Sequence, residues 1–136
     1  RKNRDLAIHG YVIMPTHAHA LVTAGQDDLS AIVRDFKRFT ARAIYGQMEQ
    51  DSNKLFAWVF RDCKQAGTDA KIKVWQDEFH PEVVCSQGFC QQKLDYIHGN
   101  PVRKGLVVDP SRYYWSSASF YYSEEAGPLG VDVLEW

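Results

Sequence analysis

The sequence lacks the features that place a chain in a membrane or in an oxidising compartment. No apolar run in its 136 residues approaches the roughly 18–20 residues that a membrane-spanning helix needs, and no signal peptide opens it. The three cysteines, Cys63, Cys85 and Cys90, are odd in number and have no CxxC spacing, so free thiols are expected. These absences predict a cytoplasmic protein with no membrane partner.

An excess of positive charge is also missing, since the net charge is −1. Its distribution is uneven: residues 1–46 hold seven Lys/Arg against four Asp/Glu, and residues 83–122 hold four against two. The acidic segments are 47–82, with five against seven, and 123–136, with none against four. Local field matters more than total charge for binding polyanions, so two basic segments leave nucleic acid open as a partner. The alternative is scattered, solvated charge.

Length and composition indicate one folded domain. A hydrophobic share of 45% with 13% aromatic residues is typical of a globular chain, and 136 residues suffice for one core. No internal repeat or low-complexity tract is present. We predict a single domain over residues 1–122, followed by an acidic, loop-like tail over residues 123–136.

Two helices and several extended segments are predicted from apolar spacing. Residues 8–24 are rich in Val, Ile, Leu and Tyr and should be extended, with a bend, bulge or edge at Pro15-Thr16. Residues 29–49 have helical periodicity, through the apolar set Ile32, Phe36, Phe39 and Ala43 and the basic set Arg34, Arg38 and Arg42.

The later part of the chain adds a strand pair and a second helix. Residues 71–75 alternate polar and apolar and predict a half-buried strand, with residues 82–85 as its possible partner. Ser86 is a suitable N-cap for a helix through about His98. Because Pro101 disfavours helical geometry in the residue before it, this helix should end near Asn100.

A pair of histidines is the first feature with chemical potential. On a strand, residues i and i+2 point to the same face, so His17 and His19 could hold one cation together. Imidazole suits Zn, Mn, Fe, Ni and Cu. The alternative is a pair of surface or hydrogen-bonded histidines.

The second feature is Tyr96 with Asn100, one helical turn apart and therefore on one face, opposite the core-facing Leu94 and Ile97. An amide oxygen at Asn100 could complete a site with two histidines, and the tyrosine hydroxyl would lie beside the metal. The alternative is a tyrosine that merely packs.

Together these motifs resemble a known family. Residues 11–19, Y-V-I-M-P-T-H-A-H, are similar to the "V-M-P-N-H-x-H" strand of the single-tyrosine HUH transposases, and residues 96–107, Y-I-H-G-N-P-V-R-K-G-L-V, to their tyrosine-bearing helix. Three further pieces fit in order: F-K-R-F-T-A-R from Phe36, K-V-W-Q-D-E-F from Lys73, and Y-Y-W-S-S-A from Tyr113. The similarity is greatest to the REP-associated tyrosine transposases and extends to about Tyr122.

The resemblance implies a fold, a reaction and a set of site residues. The fold is a ferredoxin-like α+β sandwich, an antiparallel sheet with helices on one face. The activity is cleavage and transfer of single-stranded or hairpin DNA through a 5′-phosphotyrosine, with Tyr96 as nucleophile. His17, His19 and Asn100 would bind Mg²⁺ or Mn²⁺, and some relatives are homodimers. His98 lies roughly opposite Tyr96 on the helix and is interpreted as structural.

The basic segments then have a use in binding DNA. The predicted contacts with the phosphate backbone and with unpaired bases come from seven residues: Arg34, Lys37, Arg38, Arg42, Arg103, Lys104 and Trp115.

This chain departs from the family pattern in three ways, the mildest being Ala18 between the histidines, which is small but still apolar and keeps the motif. Thr16 stands where Asn is common, which should affect the turn more than the metal, and the strand and helix upstream of the histidine strand are expected to be missing. Two other functions stay open: a catalytically silent protein that binds DNA hairpins, and an unrelated metal hydrolase.

Overall fold

The computed structural model describes residues 6–25, 28–50, 74–76 and 80–134. The chain divides into two compact units, Arg1–Gln26 with Glu82–Trp136, and Asp27–Pro81. The histidine pair and the tyrosine helix both lie in the first unit, which is described first.

An antiparallel hairpin forms the sheet of this unit. Strand β1, Leu6–Ile13, pairs with β2, Ala18–Ala24, in a register that sets Val12 opposite His19 and shifts between Ile8 and Gly10. The residues expected to be extended are therefore two strands, and the interruption at Pro15-Thr16 is the turn between them. Across that turn the Met14 N–H donates to the His17 carbonyl (2.8 Å), and proline suits the second position of such a turn.

The other edge of β1 is also covered. The Ile13 N–H donates to the Trp115 carbonyl (2.8 Å) and the Ser117 N–H to the Tyr11 carbonyl (3.0 Å). Nearer the start of the strand, the Asp132 N–H donates to the Ile8 carbonyl (2.8 Å), and the Asp132 carboxylate accepts from the Ile8 N–H (2.9 Å). Part of the acidic tail is thus bound to the sheet, so little of this edge is open to further strands.

Helix α2, Gln87–Arg103, carries the tyrosine. Its predicted N-cap is confirmed, because the Ser86 hydroxyl accepts from the Phe89 N–H (3.3 Å). The buried side of the helix consists of Cys90, Leu94, Ile97, His98, Asn100 and Pro101.

The predicted end of this helix near Asn100 is wrong. The helix continues through Pro101 for almost another turn and stops where Gly105 adopts a positive φ of 68°. The Gly105 N–H donates to the Val102 carbonyl and the Leu106 N–H to the Pro101 carbonyl (both 2.9 Å), which is the Schellman arrangement. This cap offsets the hydrogen bond that proline cannot donate.

The core lies between the hairpin and α2. Val12, Met14 and Ile97 form its buried cluster, with Leu21 and Tyr113 packed against it. Short segments close the unit: a 3₁₀ turn at Pro110–Arg112 and helix α3 at Ala118–Ser123.

Gly10 sets how closely α2 approaches β1. A Cβ added at Gly10 would lie 2.4 Å from Leu94 Cδ2. We expect Gly10→Ala to lower the free energy of unfolding by about 1–3 kcal/mol, because a filled core accepts an extra methyl only by shifting side chains. Urea unfolding at constant m-value measures this loss. Gly88→Ala, at a helical glycine with open space around it, is the control and should not destabilise the protein. Equal unfolding midpoints for the two variants would contradict the close approach.

The second unit contains helix α1, Leu29–Gln50, in agreement with the prediction. The described residues 74–76 pack on it: Trp75 Nε1 donates to Thr40 Oγ1 (2.8 Å), Lys37 Nζ to the Gln76 carbonyl (2.7 Å), and the Trp75 ring contacts Phe36. Of the apolar residues named from periodicity, Ile32 is buried, whereas Phe36 and Phe39 are exposed.

The predicted α+β class is confirmed by the hairpin and its packed helices, but one expected element is absent. Residues 82–85 form no strand. Their expected partner was the segment 71–75, of which residues 71–73 lie outside the described part of the chain. Cys85 and Cys90 are free, as predicted, and Cys63 lies outside the described residues. Among the described helices, none combines the length and apolar character needed to cross a membrane.

Candidate functional site

The two histidines lie together, although only one is on a strand. His19 is the second residue of β2, and His17 belongs to the turn before it. Their ring centroids are 5.0 Å apart with the planes at 80°. Imidazoles that share one ion at metal–nitrogen distances of about 2.0–2.1 Å have centres about 4.5–5 Å apart, so this spacing fits a shared cation.

Thr16 orients the first histidine. Its hydroxyl is hydrogen-bonded to His17 Nδ1 (3.0 Å), which leaves Nε2 of that ring available for a ligand. We expected the Thr at this position to affect the turn more than the metal residues. The structure shows that it also contacts one of the two histidines predicted to bind metal.

Helix α2 brings Tyr96 to the histidines. The Tyr96 ring is 5.6 Å from the His19 ring, centroid to centroid, at 78°. Its side chain remains half exposed, at 50%. A hydrogen-bond chain helps to fix α2 on β1: His98 Nε2 bonds Ser117 Oγ (2.8 Å), and the Tyr11 N–H donates to the same oxygen (2.9 Å). The tyrosine is therefore held at the histidine pair and open to solvent.

Arg103 completes the surroundings of the tyrosine. Its guanidinium carbon lies 4.6 Å from the centre of the Tyr96 ring, and Nη2 donates to the Tyr96 carbonyl. Planar guanidinium groups stack well on aromatic faces. A positive charge thus lies directly on the tyrosine ring.

Electrostatics favour the neutral form of His19. Partial burial, then the neighbouring His17 and Arg103, lower the pKa of His19 below its usual value. Neutral imidazole is the form that binds metal ions, so these neighbours keep the ring available as a ligand.

The helical spacing predicts that Asn100 lies opposite the core, and this prediction is wrong. Asn100 is buried one turn beyond Tyr96. It is 5% exposed, on the same side as Leu94 and Ile97. Its amide nitrogen has no hydrogen-bond partner. Half a rotation of the amide exchanges nitrogen and oxygen, so the side chain can place its oxygen in the same buried position. Within the described residues, no three His, Cys, Asp or Glu side chains are grouped to hold a metal. A site here would therefore need a third ligand of another kind, the role predicted for the amide oxygen of Asn100.

His98, on the same helix as Tyr96, has a structural environment. His98 is buried against Ser117, Tyr121 and Tyr122. Burial lowers the pKa of His98 to about 4, against an opposing effect of Asp95, so the ring is neutral near pH 7. This agrees with its predicted structural role.

The predicted DNA-binding residues lie on different elements. Arg34, Arg38 and Arg42 are exposed on α1, and Asp35 lies within 3.9 Å of Arg34 and 3.5 Å of Arg38. Lys37 is directed to residues 74–76. In the first unit, Lys104 is exposed beyond the end of α2, and Trp115 is 51% exposed. Solvent-facing cations and a half-exposed indole can take phosphate and base contacts.

Sequence reasoning missed two residues of this site. It assigned Thr16 to the turn, and it did not single out Gly99, over which the Arg103 side chain folds. A glycine four residues before an arginine in a helix was the available signal, because those positions share a face.

Comparison with known proteins confirms the resemblance stated from the motifs. No family model matches the chain. A curated REP-associated tyrosine transposase of Escherichia coli (strain K12) is 22% identical over 134 residues, which is 97% of this chain and 65% of that protein. The solved structure of a REP-associated tyrosine transposase bound to a REP hairpin matches with a TM-score of 0.62 at 22% identity. That match covers 99% of this chain and 69% of the other, so the two share a fold.

Proposed function

We propose that this chain is a transposase-like enzyme that binds hairpin or single-stranded DNA and cuts it with Tyr96, with help from a divalent metal. The observation that carries the proposal is the placement of a half-exposed tyrosine against a histidine pair, 5.6 Å from His19. Similarity to a transposase whose solved structure is bound to a REP hairpin supports the substrate class.

The proposed reaction uses the tyrosine as a covalent carrier. The Tyr96 hydroxyl oxygen attacks the phosphorus in line and loses its proton, the bond from phosphorus to the 3′ oxygen breaks, and that oxygen takes up a proton. The products are a 5′-phosphotyrosine and a free 3′-hydroxyl, so the phosphodiester energy is kept for rejoining the strand. Bound Mg²⁺ or Mn²⁺ would stabilise negative charge on the phosphate oxygens.

His17, His19 and Asn100 are the residues proposed to hold that ion. The 5.0 Å spacing of the imidazole rings, the lowered pKa of His19 and the unpartnered amide nitrogen of Asn100 all fit this role. Because Tyr96 meets His19 of the same chain, we further propose that one chain forms a complete site, and that the homodimer expected from some relatives is not needed for cleavage.

The test is a denaturing gel of the protein with labelled hairpin and single-stranded oligonucleotides from repeats in its own genome. Mn²⁺ or Mg²⁺ is present in one series and EDTA in another. We expect a covalent protein–DNA band only with metal. Hairpin binding without a band would favour the silent DNA-binding alternative, and neither binding nor a band would overturn the proposal.

Thr16 gives a graded test of the metal site. We expect Thr16→Val, which keeps the shape but loses the hydroxyl on His17, to weaken Mn²⁺ binding about tenfold, as loss of a residue that orients a ligand usually does. Thr16→Ser keeps the hydroxyl and should bind within about twofold of the native chain. Calorimetric titration measures both. Equal affinities of the Val and Ser variants would show that the hydrogen bond does not orient a metal ligand.

A further inference from the structure

The Arg103 side chain takes an unusual course along α2. Its guanidinium reaches back over two turns to the Tyr96 ring, 4.6 Å from the ring centre, and donates to the Tyr96 carbonyl. Carbonyl groups inside a helix normally accept only from the helix itself, so this contact fixes the arginine at one place. An exposed arginine would otherwise keep most of its rotamer freedom.

Gly99 makes that course possible. It lies one turn before Arg103, and a Cβ added there would be 2.6 Å from Nη1 and 3.5 Å from Cζ of the arginine. Any side chain at this position therefore requires the guanidinium, the far end of a flexible side chain, to shift. Glycine inside a helix costs about 0.5–1 kcal/mol relative to alanine. This destabilising glycine, Gly99, stands at the position over which the arginine side chain lies.

We propose that Gly99 seats Arg103 on Tyr96, and that the seated arginine is a positioning residue for the attack on the scissile phosphate. The inference rests on the proposed function and deepens it. Stacking restricts the tyrosine ring, and the carbonyl contact holds the guanidinium over that ring, with its carbon 4.6 Å from the ring centre. Reacting atoms must come within about 3–3.5 Å, so the phosphate that meets this tyrosine comes within reach of the same cation.

The chemistry of guanidinium suits this position better than that of ammonium. Its planar fork can stack on a ring and hold two phosphate oxygens at once, whereas a lysine offers a single point of charge. Arg103 thus places a cation on the tyrosine where an incoming phosphate would meet it.

Gly99→Ala tests the seat without changing the arginine or the tyrosine. We expect adduct formation in a single turnover to slow about 10- to 100-fold in Gly99→Ala and in Arg103→Ala. Hairpin affinity should change less than about threefold, since only one of several phosphate contacts is disturbed. Arg103→Lys should recover part of the rate. The matched control is Gly88→Ala in the same helix, where a Cβ meets nothing, and it should react within about twofold of the native chain.

Folding does not confound the comparison, because alanine is the better helix former, and thermal unfolding checks this directly. A second readout is independent of cleavage: the ¹⁹F resonance of 3-fluorotyrosine at position 96 in the full chain without DNA. Gly99→Ala and Arg103→Ala should move it in the same direction, and Gly88→Ala should not.

The two readouts separate the inference from the proposed function. If the resonance moves but even the native chain forms no adduct, the seat is supported and the nuclease proposal fails. If Gly99→Ala moves the resonance and leaves the rate unchanged, the positioning role is wrong. If Gly99→Ala behaves as Gly88→Ala in both measurements, the seat itself is wrong.

Discussion

Tyr96→Phe is expected to lower formation of the covalent protein–DNA adduct by about a thousandfold or more, with little change in hairpin affinity. Removing a nucleophile leaves only the catalysis that binding and charge supply. The substitution deletes one oxygen and keeps the ring, so the contacts with His19 and Arg103 are preserved. Single-turnover kinetics on a labelled hairpin and a filter-binding titration measure the two quantities separately.

Tyr122→Phe is the matched control, because Tyr122 is similarly exposed and its ring also contacts a histidine, His98. It should form the adduct at the native rate.

A mixture of the Tyr96→Phe and His19→Ala proteins tests whether one chain supplies the whole site. We expect the mixture to stay inactive, and recovery of activity would show that two chains share their residues. Persistence of the adduct in Tyr96→Phe itself would assign the nucleophile to another residue.

The helices were predictable because their signals are local. Spacing places the apolar residues of α1, and the Ser86 side chain satisfies a backbone N–H at the start of α2, as N-cap chemistry requires. The spacing of apolar residues does not predict which of them other parts of the fold bury. Phe36 and Phe39 fit the apolar stripe of α1, but both are exposed, since burial depends on what packs against the helix.

The end of α2 shows a conflict between local preferences. Pro101 argues for a stop before it, and the prediction followed that rule. The structure instead keeps the helix, because Pro101 is itself buried and the later Gly105 supplies a better cap. Tertiary burial outweighs the local cost here, and it sets Asn100 in the core.

The two histidines lie close together, as predicted, but the reason given for it from the sequence was incomplete. Alternation on a strand puts residues i and i+2 on one face, yet His17 precedes the strand. A two-residue turn and the Thr16 hydrogen bond bring its ring to His19 instead. The composition of the site could thus be predicted from residue types, whereas the orientation of its members depends on a turn and on a folded-back arginine.

Asn100→Leu is expected to weaken Mn²⁺ binding about a hundredfold while leaving the metal-free protein as stable as the native chain, or more stable. A buried amide nitrogen without a hydrogen-bond partner costs about 1–3 kcal/mol, and leucine fills a similar shape without that cost. Metal affinity falls because two imidazoles alone remain as ligands. Calorimetry gives the affinity, and urea unfolding in EDTA gives the stability.

Asn100→Asp should reverse the pattern, which makes the pair of variants decisive. A carboxylate supplies a stronger oxygen ligand for Mn²⁺, so binding should be retained or tightened. The same charge is buried when no metal is present, so the protein in EDTA should unfold at lower urea than the native chain. A residue kept for packing would give the opposite result, with Leu destabilising the fold and neither variant changing the affinity. If Leu lowers the metal affinity without lowering stability, and Asp does the reverse, then Asn100 serves metal binding at the expense of the stability of the fold.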